Sequence, residues 1–188
     1  MHEFTVNGIR AVKMDDIAHK LGISKRTLYE LYENKEQLLY EGVKSYHDKK
    51  QQLMQAFEDE GHNVMEVIIH LYRFHAEEFR QTHPLFYEDV VRYTSVLDYI
   101  KARQRQTQGK FLVFMKRGVS EGFFRADINY VLVGQMFEAF TAHMHTQQLY
   151  QQYDFDELFF NTLFVMLRGF CTDKGIKFLD NFINENRQ

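Results

Sequence analysis

Apolar side chains recur along this chain at intervals of three and four, the period of one helix face, and no stretch alternates at the interval of two that marks a half-buried strand. The repeat predicts helices over 35–59, 63–81, 85–101, 105–121, 127–151, 155–173 and 175–185. The breaks fall at Gly61, His83–Pro84, the glutamine-rich run 104–108, Gly122–Asp127, Tyr153–Asp154 and Thr172–Gly175, with Asp154 and Thr172 suited to cap the helices that follow. No internal repeat or flexible linker interrupts the series, so the predicted class is all-α. Pro84 is the one proline, which leaves long helices unbroken.

The stretch from Met14 to Leu39 carries a denser pattern. Met14, Ile17, Ala18 and Leu21 give one helix an apolar face, and Gly22 follows where a left-handed residue ends a helix without steric cost. Ser24 is placed to cap a second short helix whose Leu28 and Leu31 turn inward while Lys25, Arg26, Thr27, Tyr29 and Glu30 stay outward. Asn34 and Gln37 then have the spacing of a capping box at the head of a long helix. Two short helices around a glycine turn, the second opening on basic and hydroxyl side chains, form a helix-turn-helix, whose second helix enters a DNA major groove.

The run DIAHKLGISKRTLYELYENKEQLL resembles the DNA-binding domain of TetR-type transcriptional regulators. Asp16, Ile17, Ala18, Gly22, Ile23, Ser24, Thr27, Leu28, Tyr29, Lys35, Glu36 and Leu38 match that family's pattern in register, over about the first quarter of the chain. The segment LRGFCTDKGIKFLDNF is similar to the ends of some members. The resemblance implies that Lys25, Arg26 and Thr27 reach base edges or nearby phosphates, and that Tyr29 and Lys35 contact phosphate. Two departures stand out. The family's first helix is represented only by a truncated stretch, Met1 to Asn7, before Gly8; and Lys13 replaces a capping threonine, its charge offering a phosphate contact instead.

The two late helices are apolar over more than one face. Val133, Phe137, Phe140 and Met144 recur at spacings of four, three and four, as do Phe159, Leu163, Met166 and Phe170, and Phe160, Phe164, Leu167 and Cys171 add an adjacent stripe. The pattern fits a fully internal helix or a symmetric interface in which two helices from each subunit form a four-helix bundle. The resemblance implies the second, a homodimer.

The middle of the chain is rich in rings: Phe74, Phe79, Phe86, Tyr87, Tyr93, Phe111 and Phe114, with His70, Tyr72, His75 and Met115 among them. At helical spacing such rings are ordinary core. The resemblance implies a ligand cavity here, lined by His70, Phe74, His75, Phe86, Tyr87, Tyr93, Phe111, Phe114 and Met115 and closed by Phe140 and His143. An aromatic lining with a few polar groups suits an apolar or amphipathic molecule.

Charge and composition narrow the remaining choices. The net charge is −3, but residues 1–50 hold nine Lys/Arg against eight Asp/Glu, and His19, Lys20, Lys25, Arg26 and Lys35 cluster around the turn. A local patch is enough for phosphate binding, with affinity that falls steeply with salt. A hydrophobic content of 45% argues against disorder. No run approaches the roughly 18 apolar residues of a membrane span, no signal peptide is apparent, and the lone Cys171 forms no internal disulfide; a cytoplasmic protein is expected. His143 and His145 are two apart and His70 and His75 five apart, poor spacings for joint ligation on a helix, and metal, phosphate-loop and nucleophile-elbow motifs are absent.

The expected protein is an all-α homodimer without cofactor or metal, and not an enzyme. Residues 1–45 form a helix-turn-helix domain and 46–188 a helical ligand-binding and dimerisation domain. The expected function is that of a ligand-responsive regulator, more a repressor than an activator, which binds a palindromic site in double-stranded operator DNA and is released by a small apolar or amphipathic effector of unidentified structure. Two alternatives remain: an architectural DNA-binding protein without a ligand, and a helical enzyme using the aromatic cavity.

Overall fold

The computed structural model describes residues 1–186, except for the side chains at 104, 105, 107, 108, 145 and 186, so His145 lies outside the described side chains. Among the described residues eleven α-helices follow one another: α1 (His2–Asn7), α2 (Met14–Lys20), α3 (Lys25–Leu31), α4 (Lys35–Asp59), α5 (Val64–Gln81), α6 (Pro84–Val90), α7 (Thr94–Ser120), α8 (Tyr130–Thr146), α9 (Phe155–Asn161), α10 (Leu163–Phe170) and α11 (Asp173–Asn186), with a 3₁₀ turn at Leu149–Gln151. Extended pairing among the described residues is an isolated antiparallel bridge between Phe124 and Cys171.

The caps explain where several helices start and stop. Thr27 N–H donates to Ser24 Oγ at 3.0 Å at the head of α3. Gly22 takes φ +66° while Ile23 N–H reaches back to Ala18 O at 3.0 Å, closing α2 with a left-handed glycine cap. Gln37 N–H donates to Asn34 Oδ1 at 2.9 Å, and the Gln37 side chain accepts from Glu33 rather than Asn34. Asp154 caps α9 through Glu157 N–H at 2.7 Å.

Three predicted boundaries differ. The helix expected to end near 101 and restart at 105 is one continuous element, α7; Gln, Arg and Lys are good helix formers, so a polar run there is no break. The break falls earlier, between α6 and α7, after the β-branched pair Val90–Val91. The helix expected over 155–173 is interrupted at Thr162, whose hydroxyl donates to Leu158 O and competes with the helical ladder.

The chain divides into two compact units, residues 1–55 with 77–105, and residues 56–76 with 106–188. This division does not follow a single cut after residue 45, because α4, α5 and α7 each contribute to both. The first unit buries Phe4, Ile9, Val12, Met14, Ile17, Ala18, Leu28, Leu39, Val43 and Val96. The second is centred on Val64, Met65, Tyr72, Met115, Phe123, Phe124, Phe164, Leu167 and Leu179. Gly118 permits its closest approach, since a Cβ there would stand 2.0 Å from the Phe124 ring.

Candidate nucleic-acid interface

In the first unit, α3 is held from beneath by Leu28, 1% exposed, and by the core residues of α2. Lys25, Arg26, Thr27 and Tyr29 are all exposed on its outer side, and Lys13 is exposed at the head of α2, where its N–H donates to Asp16 Oδ2 at 3.0 Å. Lys25 Nζ sits 2.9 Å from an Asp15 carboxylate oxygen and 6.0 Å from the Tyr29 ring centre; the Asp15 hydrogen bond and charge raise its pKa above the ordinary lysine value. Arg26 pairs with Glu30 one turn on, at 2.9 Å. The Lys20 ammonium meets Glu3. These are exposed pairs of small net worth, easily exchanged for phosphate oxygens or base edges. Asp15 has no role in the sequence reading, and Glu30 enters it only as an outward residue; its pairing has a legible signal, the four-residue spacing from Arg26.

Lys35 has a different environment. Its ammonium donates to Ile9 O at 2.9 Å and Val12 O at 3.0 Å, tying the start of α4 to the loop between α1 and α2. Burial lowers its pKa, opposed by the Asp89 charge.

The rings expected to line a ligand cavity fall into both units. Phe86 and Tyr93 pack against the core beneath α3, and Tyr87 lies against Phe86 and Phe79. In the second unit Met115 is buried, with Phe111 and Phe114 packed against the same core; Phe111 meets Phe137 edge-on at 6.0 Å and lies against Gly134. His70 stacks on Phe57 at 4.0 Å, and His62 stacks on Phe57 at 3.8 Å. Phe74 and His75 are half-buried on α5, Phe140 is half-buried on α8, and His143 is exposed. A groove of ≈ 370 Å³ opens elsewhere, between Phe160, Phe164, Val165, Arg168, Asp180, Ile183 and Asn184, and shares no residue with that set.

The residues expected at a subunit interface are largely engaged within their own chain. Phe170 is 4% exposed and meets Phe124 and Tyr130 edge-on, so it belongs to the protomer's core and is withdrawn from the interface set. Val133, Phe137, Phe159 and Leu163 are half-buried against that core, while Phe140, Met144 and Met166 are half-buried. The bare apolar side chains are their neighbours: Val131, Leu132 and Met136 on α8, the last 58% exposed, and Val165 on α10, 61% exposed. Cys171 is buried, its thiol pushed up to about 11 by desolvation, which disfavours the nucleophilic thiolate.

Residues 1–41 match the model of the family described as bacterial regulatory proteins, tetR family. An HTH-type transcriptional repressor KstR2 from Mycolicibacterium smegmatis is 27% identical over 135 residues, covering 69% of this chain and 66% of its own length. The structure of the ketosteroid transcriptional regulator KstR2 of Mycobacterium tuberculosis superposes with a TM-score of 0.58 at 23% identity, over 90% of each chain. That of the transcriptional regulator FadR from Bacillus subtilis in complex with stearoyl-CoA does so with a TM-score of 0.60 at 18% identity, over 88% of this chain and 92% of FadR. Among the described residues no helix is long and apolar enough to cross a membrane.

Proposed function

We propose, from the premise that this chain is a TetR-type helix-turn-helix regulator, that it is a homodimeric repressor released from a palindromic operator by an apolar or amphipathic small molecule. The observation that carries the reading is α3 itself: a capped helix fixed by buried Leu28, presenting Lys25, Arg26, Thr27 and Tyr29 outward inside the segment that matches the family. In this reading those four residues and Lys13 meet DNA, and Lys35 supports them as a tie within the head.

The dimer face is assigned to the bare sides of α8 and α10, around Leu132, Met136 and Val165, rather than to the stripes facing the protomer's core. The effector class is supported by the aromatic set of the second unit, Phe74, Phe111, Phe114, Met115 and Phe140 with His70, His75 and His143 for orientation. The relatives' ketosteroid and stearoyl-CoA names point to the same kind of molecule. Ligand and DNA are coupled only if the ligand binds one arrangement of the two reading heads better than the other.

The test is a mobility shift with a duplex recovered by selection from a randomised pool. Arg26→Ala should cost about 1–3 kcal/mol at that site and relax specificity there. Unchanged binding by a Lys25→Ala/Arg26→Ala double variant would remove α3 as the reading helix.

A further inference from the structure

The α6 segment is docked onto the reading head by polar contacts to backbone far away in sequence. Asp89, a carboxylate only 6% exposed, accepts from Arg10 N–H at 2.7 Å. His83 N–H donates to Thr5 O at 2.7 Å. Just beyond, Ser95 donates to Glu36 Oε1 through both its N–H, at 3.0 Å, and its hydroxyl, at 2.6 Å. The chain at Gly8, φ +80°, approaches α6 so closely that a Cβ there would lie 3.0 Å from Leu85 Cβ.

The loop gripped in this way supports the reading helix. Arg10 lies between Ile9 and Val12, which are buried with Met14, Ile17, Ala18 and Leu28 in one cluster. Asp89 holds the loop's N–H while Lys35 holds its carbonyls, so a buried carboxylate and a half-buried ammonium fix one short backbone segment from two sides. Freeing Arg10 N–H leaves a part-buried donor without its carboxylate partner, and the loop that carries it is then free to shift Ile9 and Val12 under α3.

We propose that Asp89, more than fifty residues beyond the recognition helix, is a positioning residue for DNA reading, acting through the Arg10 backbone and touching no DNA itself. The proposal rests on the DNA-binding reading above. The experiment measures affinity for the selected duplex, with circular dichroism and light scattering on the same samples. Asp89→Ala is expected to lose roughly tenfold in affinity with helicity and mass unchanged. Asp89→Asn, which keeps a carbonyl oxygen to accept the Arg10 N–H, is expected to restore binding to within about threefold, as an acceptor role predicts and a requirement for charge does not. Asp89→Ala binding like wild type overturns the proposal; so does Asp89→Asn binding no better than a folded Asp89→Ala. Should Asp89→Ala fail to fold, amide exchange on the wild-type protein decides: Arg10 N–H strongly protected supports the contact, and exchange at an open-loop rate overturns it. Wild-type protein that binds no duplex overturns the DNA-binding reading itself, a different failure from loss of the Asp89 effect.

Discussion

Replacing Lys35 by methionine separates a structural tie from a phosphate contact. The ammonium makes two good charge-assisted bonds, to Ile9 O at 2.9 Å and Val12 O at 3.0 Å, and a longer approach to Arg10 O at 3.5 Å. Hydrogen bonds to charged groups contribute about 1.5–3 kcal/mol each when buried. Lys35 is only half-buried, and water can reach part of the vacated site, so about 1–2 kcal/mol in total is the better figure. Methionine keeps the apolar stem and removes only the donor. For a chain of this size the loss lowers Tm by roughly 2–8 °C, read by thermal denaturation at neutral pH. A salt titration of DNA binding on the same variant should leave the slope of log K against log salt nearly unchanged. A lysine that neutralised a phosphate would instead reduce the slope by about 0.9 for each chain bound. An unchanged Tm together with a slope reduced by that amount would show that the ammonium faces DNA and would refute the tie.

Met136→Glu places a charge on the bare side of α8, and light scattering at micromolar concentration should show a dimer converted to monomer with helicity kept; a variant that remains dimeric moves the interface elsewhere. Gly118→Ala forces a methyl into the Phe124 ring and should destabilise the protein by about 1–3 kcal/mol, whereas Gly109→Ala, with nothing among the described side chains within 4 Å of the new atom, should be neutral or stabilising in the same melt. His47 has its pKa held below the ordinary value by burial, then by Lys50 and Arg103, with Glu78 and Asp48 opposing. The unfolded chain therefore takes up the proton first, and the stability tied to neutral His47 is lost as pH falls below about 6.5. Melts from pH 7.5 to 5.5 should fall more steeply for the wild type than for His47→Gln, and parallel curves would rule out this contribution.

The reading head was legible because its signals are local. Gly22, Ser24 and Asn34 each act within five residues, and the structure places each at the helix end expected of it. The long helices were legible by period, but not their interruptions: nothing in the pattern marks Thr162, whose hydroxyl turns back on Leu158 O. Long-range polar contacts were beyond sequence reasoning altogether. Nothing in the pattern marks Asp89 within the helix predicted over 85–101, and only the fold brings it to Arg10; for Lys35 the resemblance implies a phosphate contact, and only the fold places the carbonyls of Ile9 and Val12 around it. The late apolar stripes predict helices covered from two sides without indicating which side the chain covers itself; Phe170, expected at an interface, is 4% exposed within its own chain.

Selection of duplexes from a randomised pool by the wild-type protein, followed by sedimentation of the complex on the recovered site, tests the central claim most directly. The expected result is one enriched sequence with two inverted half-sites about one helical turn apart, roughly 10 base pairs, bound by at least two chains. Recovery of no preferred sequence, or binding by a single chain to an unpaired half-site, would contradict it.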